Sequence, residues 1–83
     1  MKEQELDKYV GKFVRITDFE NEKYNGCLYK IINGKFKVNG IEQLACMNKG
    51  YILDRGYCYH NYRKSHIKKI EVIWGESRWI TFM

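Results

Sequence analysis

Short segments of alternating apolar and polar residues follow one another along most of this chain, and turns containing glycine separate them. Val14 and Ile16 share one face of the first segment, because successive side chains of a strand point to opposite faces. Asn33-Gly34 is the strongest hairpin signal, and Asn39-Gly40 is a second turn of the same type. The chain contains no proline, so glycine must supply the turns. This pattern predicts a mainly β, antiparallel protein.

The strand segments are short and bounded by turn residues. We expect strands at 13–17, 24–32, 35–38, 51–54, 57–62 and 67–74. Residues 41–50 are ambiguous between a short helical turn and an irregular strand pair. Because short antiparallel strands protect their edges by closing on themselves, we expect a small, strongly bent barrel of five or six strands.

The first ten residues follow a helical period instead. Leu6, Tyr9 and Val10 fall at i, i+3 and i+4, and Gly11 stands where a helix C-terminal glycine is expected. A chain of 83 residues has room for one domain. We therefore expect a single domain at 1–83, with a short helix at 1–10, the barrel at 12–74, and an extension or extra strand at 75–83.

Apolar residues make up 45% of the chain, which is ordinary for a globular protein. The uninterrupted apolar runs are too short for a transmembrane helix. Residues 1–10 contain three acids and lack the apolar stretch of a secretory signal. The sequence therefore predicts a cytoplasmic protein with no membrane partner.

The net charge is +5 and is unevenly distributed. Residues 1–22 hold four Lys or Arg against six Asp or Glu, and residues 23–83 hold eleven against four. The second segment is therefore strongly basic, which favours an anionic partner such as a nucleic acid or a nucleotide. A solvated basic face that only keeps the protein soluble is the alternative.

A basic and aromatic patch is predicted late in the chain. Aromatic rings stack on bases and guanidinium groups bind phosphate, so such a mixture is typical of a nucleotide or single-strand site. Tyrosines at alternate strand positions also pack barrels and subunit interfaces, and this alternative stays open. The residues predicted to bind nucleotide or nucleic acid are Arg55, Tyr57, Tyr59, Arg63, Lys64 and His66.

The C-terminal region is rich in large aromatic residues. Trp74, Trp79 and Phe82 exceed what a small core needs, and exposed tryptophans are typical of interfaces. We expect these three residues to contact a partner protein, with a lid over the open end of the barrel as the alternative.

Metal and catalytic signals are weak. Cys27, Cys46 and Cys58 are an odd number, and we expect them to be reduced. Cys58 and His60 lie two apart, but no second ligand pair of zinc spacing accompanies them. No phosphate-binding glycine loop or nucleophile elbow is present. We therefore expect no catalytic residues, no metal site and no cofactor.

The element order and two short motifs resemble the Sm-like family of small β-barrels. The first Sm motif is matched by Val14 and Ile16, a polar hairpin at 18–23, and Gly-Cys-Leu at 26–28. Residues 63–72 look like the second motif. The resemblance covers 6–73 and implies an Sm-like or SH3-like barrel that forms a homo-oligomer by pairing strand edges between subunits.

The resemblance also bears on the binding residues. Arg63 matches the family's second-motif arginine, whereas Lys64 replaces the glycine that follows it. Ile32 and Phe36 stand where the family has the Asp and Asn that read uridine. His66 occupies a position where the family often has a polar residue.

These observations favour a non-enzymatic binder of nucleic acid or of an anionic nucleotide. The alternative is a small phage-type anti-defence protein that sequesters a nucleotide immune signal or blocks a host defence protein. A chain rich in lysine, asparagine and isoleucine and free of proline resembles products of AT-rich bacterial or phage genomes.

Overall fold

The computed structural model describes residues 2–74, with Trp74 described by its backbone alone. Trp79, Phe82 and the extension at 75–83 lie outside the described residues. The elements in chain order are α1 (Glu3–Asp7), β1 (Phe13–Asp18), β2 (Lys23–Ile31), β3 (Lys35–Val38), β4 (Ile41–Leu44), β5 (Gly50–Asp54), β6 (Tyr59–Tyr62), one turn of 3₁₀ helix (Lys64–His66) and β7 (Ile67–Trp74). The prediction of a mainly β, antiparallel protein with one short helix is confirmed.

Five strands form one antiparallel sheet in the order β6-β5-β2-β1-β7, and β3 pairs with β4 in a second sheet. The ambiguous segment 41–50 therefore begins with a strand, and residues 45–49 lie outside regular elements. Within the described residues β6 and β7 are edge strands, so the hydrogen-bonded sheet is open and the closed barrel stays a prediction. No helix in residues 2–74 is long and apolar enough to cross a membrane.

The large sheet is strongly bent, because both of its edges contribute to one core. Register shifts in the β1–β7 pairing, at Phe13/Val14 and at Thr17/Asp18, increase the local twist. Tyr62 of β6 and Ile67 of β7 are buried in the same cluster, although three strands lie between them in the sheet. The full cluster is Leu6, Val14, Ile16, Leu28, Tyr51, Leu53, Tyr62, Ile67 and Ile70.

Helix α1 is shorter than predicted and ends at Asp7. Leu6 is its only buried side chain, and five residues cannot form a stable helix without such packing. Lys30 of β2 fixes the helix on the sheet, because its Nζ lies 2.8 Å from Glu3 Oε2 and 2.9 Å from Asp7 Oδ2. The Tyr51 hydroxyl also donates a hydrogen bond of 2.8 Å to Asp7 Oδ1.

The β3–β4 hairpin covers the other face of the sheet. Phe36 of β3 is buried against Ile31 of β2 and Ile52 of β5. Ile52 therefore faces this smaller cluster while its neighbours Tyr51 and Leu53 face the main core. Both faces of β5 are buried, which makes it the best-protected strand.

Gly26 allows β2 to pass close to the end of β5. A Cβ atom at this position would collide with the backbone carbonyl oxygen of Asp54 and would lie 3.0 Å from Leu53 Cγ. Gly11 differs, because its φ is positive at 88° but a Cβ atom added there would meet no atom within 4 Å.

The two glycines predict different costs for substitution by alanine. Gly26→Ala should lower the free energy of unfolding by about 3 kcal/mol, the upper end of overpacking costs, since backbone atoms must move. Gly11→Ala should cost about 1–2 kcal/mol, the penalty of a left-handed conformation alone. Urea denaturation of both variants measures the difference. Equal losses would show that β2 and β5 separate easily at this point.

Candidate functional site

The predicted binding residues lie at the two ends of β6. Arg55 and Tyr57 belong to the turn before β6, whereas Arg63, Lys64 and His66 follow it. The four residues of β6 separate the two ends, which corresponds to about 13 Å. The structure therefore does not gather the six residues into one patch.

The turn before β6 contains a group that we call the turn cluster: Tyr24, Arg55, Tyr57 and His60. The Arg55 N–H donates to the Cys58 carbonyl oxygen at 2.9 Å, and the Gly56 N–H donates to Asp54 Oδ1 at 2.9 Å. These two hydrogen bonds close the turn. They hold Arg55 half-buried and leave Tyr57 75% exposed.

Arg55 organises the turn cluster. Its guanidinium carbon lies 4.7 Å from the ring centre of Tyr24 and 5.0 Å from that of Tyr57, which are cation–π distances. Its Nη1 lies 3.1 Å from Nε2 of His60, so a neutral His60 accepts this hydrogen bond. The His60 ring also contacts Tyr24, with ring centres 4.4 Å apart.

The environment of His60 favours its neutral form. Burial lowers the pKa of His60 below the ordinary 6.5, and the positive charge of Arg55 lowers it further. Tyr24 is affected in the opposite direction, because its hydroxyl donates to Glu22 Oε1 at 2.8 Å and its pKa is raised.

Tyr59 does not join Tyr57, although strand alternation predicts that the two tyrosines share a face. Tyr57 lies in the turn, where the alternation of a strand does not hold, and its ring contacts Arg55. The Tyr59 ring packs edge-on against Phe36, with centres 5.5 Å apart and planes at 78°. Tyr59 nevertheless remains 43% exposed beside the edge of the sheet.

Arg63 and Lys64 line a groove beyond the other end of β6. We call it the basic groove. It has a volume of about 810 Å³ and is also lined by Tyr51. The side chains that define it are Glu3, Lys30, Asn33, Asn48, Lys49, Arg63 and Lys64. Four cations against one carboxylate make it an electropositive site.

The backbone fixes the two asparagines of the groove. Asn33 adopts a left-handed conformation with φ of 53° at the turn before β3. The next residue, Gly34, donates its N–H to the Asn48 carbonyl oxygen at 2.9 Å, and Ala45 donates its N–H to the Gly34 carbonyl oxygen at 2.7 Å. The Asn33 turn and the segment before β5 are thereby tied together along one wall.

The cations of the groove are not equivalent. The carboxylates of Glu3 and Asp7 bind Lys30 and raise its pKa, and Lys30 in turn lowers the pKa of both acids. The exposed Arg63 side chain makes no hydrogen bond or ion pair with residues 2–74 in this structure. Arg63 is therefore available to an anion, whereas Lys30 is already neutralised.

Arg63 continues the alternation of β6. Its backbone is extended, with φ of −85° and ψ of 150°, so its side chain shares a face with Asn61 and Tyr59. All three side chains are exposed. His66 is exposed in the 3₁₀ turn but does not line the groove.

Several site residues escaped the sequence analysis. Lys30 lies in β2, and the adjacent Asn48 and Lys49 precede β5, so only the tertiary fold places them beside Arg63. The alternating pattern predicts that Tyr24 lies in a strand and does not indicate that it belongs to the site. The Asn33-Gly34 turn is a sequence signal in this region, and it predicts a hairpin.

Cysteines and metal ligands are dispersed. Cys27 is buried, Cys58 is half-buried and Cys46 is exposed. In the part of the chain that is described, no three His, Cys, Asp or Glu residues are grouped as metal ligands.

Comparisons with protein-family models, with curated proteins and with solved structures return no match to this chain.

The lowered pKa of His60 predicts a specific pH dependence. The unfolded chain takes up a proton near pH 6.5 while the folded chain resists it, so stability should fall as the pH drops below about 6.5. The lowered pKa values of Asp7 and Glu3 change the stability only in a more acidic range, below their ordinary values of 3.8 and 4.5. His60→Gln should therefore reduce the change in the free energy of unfolding between pH 7.5 and pH 5.5, as measured by urea denaturation.

The exposed His66 offers a matched control. His66→Gln should retain the pH dependence of the parent chain. If His66→Gln flattens the curve and His60→Gln does not, then the contact between Arg55 and His60 is not what excludes the proton.

Proposed function

We propose that this chain binds single-stranded nucleic acid or a nucleotide without catalysing a reaction. The observation that supports this proposal most is the exposed row formed by Tyr59 and Asn61 of β6 and by Arg63 directly after it, which leads into the basic groove. The aromatic ring can stack on a base, and the amide can bind a base edge or a sugar. The guanidinium can bind a phosphate.

The groove supplies the phosphate site. Arg63 presents a planar fork of donors that matches a phosphate, and Lys49 and Lys64 add positive charge around it. Asn33 and Asn48 add amide donors from a wall that backbone hydrogen bonds hold in place. A rigid wall lowers the entropic cost of binding.

The exposed tyrosines supply stacking faces. Tyr59 is held edge-on by Phe36 on β6, which is an edge strand within residues 2–74, and Tyr57 lies farther along against Arg55. A strand that follows β6 from the groove toward the turn cluster would pass Tyr59 first and then Tyr57. A mononucleotide would use the groove and reach only Tyr59.

We also propose that the sheet forms a small Sm-like or SH3-like barrel and that its edges pair between subunits. The 3₁₀ turn joins two edge strands that share one core, which is consistent with near closure. The edges β6 and β7 have no partner on their outer sides within residues 2–74. Such edges are suited to pairing with a second copy.

Fluorescence anisotropy with labelled oligo-dT and oligo-U tests the proposal. Arg63→Ala should weaken binding about 10- to 100-fold, as expected for a charge-assisted phosphate contact of about 1.5–3 kcal/mol. It should also reduce the slope of log affinity against log salt concentration by about 0.7, the value for one phosphate contact on a single strand. Arg15→Ala is the control, because it removes the same charge from β1 and loses only a 3.1 Å hydrogen bond to Asn25.

Oligonucleotide length separates the two ligand sources. For a strand, affinity should rise from the dinucleotide to the hexanucleotide, and Tyr59→Leu should cost about 1–3 kcal/mol. For a mononucleotide, affinity should not depend on length, and a free nucleotide should compete fully. The mononucleotide result would favour sequestration of a nucleotide signal.

The control decides whether a focused site exists. If Arg15→Ala weakens binding as much as Arg63→Ala at 150 mM salt, only the diffuse positive field attracts the ligand, and the proposed site is wrong.

A further inference from the structure

The hydrogen bond between Arg55 and His60 in the turn cluster requires a neutral imidazole. A guanidinium has no acceptor, so the 3.1 Å contact from Arg55 Nη1 makes His60 Nε2 the acceptor and places the ring proton on Nδ1. A second proton, on Nε2, removes this acceptor. It also brings two cations into contact, because the arginine stays charged. The two side chains can therefore form this hydrogen bond only while His60 is neutral.

The groups around this pair do not compensate for a second positive charge. Within residues 2–74, no carboxylate forms an ion pair with His60 or with Arg55. The carboxylates of the nearby turns accept hydrogen bonds from backbone N–H groups or from the Tyr24 hydroxyl instead: Asp18, Glu22 and Asp54. Tyr62 also faces the imidazole, with ring centres 6.3 Å apart, and burial raises its pKa to about 12, so it stays neutral.

The fold holds His60 more firmly than it holds Arg55. His60 is paired with Leu53 between β6 and β5, and its ring packs against that of Tyr24. Arg55 lies in the turn, and Tyr57, the second ring on which its guanidinium lies, is 75% exposed. Repulsion between the two cations therefore displaces Arg55 toward solvent. The protonated imidazole can then replace the guanidinium as the cation on the ring of Tyr24.

We propose that protonation of His60 is an acid-sensitive switch that releases Arg55 from the turn cluster. In the neutral state the guanidinium is held by His60 and by the rings of Tyr24 and Tyr57. In the protonated state it is exposed to solvent, at the end of β6 that lies away from the basic groove. Burial and the charge of Arg55 lower the pKa of His60, so the release takes place below pH 6.5.

The effect of the switch on binding rests on the proposed function, whereas the switch itself does not. A single strand that follows β6 from the basic groove reaches the turn cluster only if it is long enough. There the released Arg55 adds a phosphate contact, so acid strengthens the binding of a long strand and leaves a ligand confined to the groove unaffected. By reciprocity, a bound long strand raises the pKa of His60.

NMR spectra of the full chain test the switch without any ligand. At pH 7.5, ¹⁵N shifts should show His60 with its proton on Nδ1, and the Cδ protons of Arg55 should be shifted upfield by the two tyrosine rings. On acidification this upfield shift should disappear with the same midpoint as the protonation of His60. A proton on Nε2 at pH 7.5, or an upfield shift that persists after His60 is protonated, would contradict the switch.

Fluorescence anisotropy with rhodamine-labelled oligo-dT measures the consequence for binding. Between pH 7.5 and pH 5, the affinity for the hexanucleotide should rise roughly twofold to fivefold more than that for the dinucleotide, as for one exposed ion pair. His60→Gln should abolish this difference, because a neutral amide keeps an acceptor for Arg55 at both pH values. His66→Gln is the matched control and should retain the difference, since His66 is exposed and lies outside the turn cluster.

The two measurements separate the switch from the proposed function. If oligo-dT fails to bind at either pH, nucleic-acid binding is wrong, and the NMR titration of His60 and Arg55 still decides whether the switch exists. If oligo-dT binds and the parent chain and His60→Gln show the same pH dependence, release of Arg55 does not regulate binding, and this part of the inference is wrong.

Discussion

Four residues join the two edges of the five-stranded sheet, and this short connection determines most of the structure. Arg63 to His66 must bridge from β6 to β7, although three other strands separate these two in hydrogen-bonding order. The sheet can satisfy the connection only by bending around one core, to which Tyr62 and Ile67 both contribute. The same connection places Arg63 and Lys64 on an exposed rim, so the curvature that buries the core also presents the basic side chains.

The strand pattern was largely predictable, because it depends on local alternation and on turn residues. Val14 and Ile16 are buried on the expected face, and the Asn33-Gly34 turn is closed by a bridge between Ile32 and Lys35. The site was predictable only in part. The position of Tyr57 depends on how the turn is closed, and the walls of the basic groove come from segments far apart in sequence. No local sequence pattern indicates which distant segments come together in space.

A second groove, lined among others by Asp7, Val10, Tyr29 and Lys35, adjoins the basic groove. Lys30, Ile32 and Asn33 line both grooves at the connection between β2 and β3. The hairpin itself is fixed by Phe36 on the sheet and by the hydrogen bonds of Gly34. One small structural unit therefore contributes a wall to both grooves, and displacement of this hairpin would alter both.

The pairing of Lys30 with Glu3 and Asp7 has a consequence for the number of charges in the basic groove. While α1 is docked, its two carboxylates neutralise the ammonium group. When α1 detaches, Lys30 becomes a further cation facing the groove. If the groove binds phosphate as proposed, phosphate binding and docking of α1 oppose each other. A phosphate that recruits Lys30 would loosen the helix, and by reciprocity a firmly docked helix would lower the affinity for phosphate. The five residues of α1, of which Glu3 lines the groove, thus also determine whether Lys30 counts among its unpaired cations.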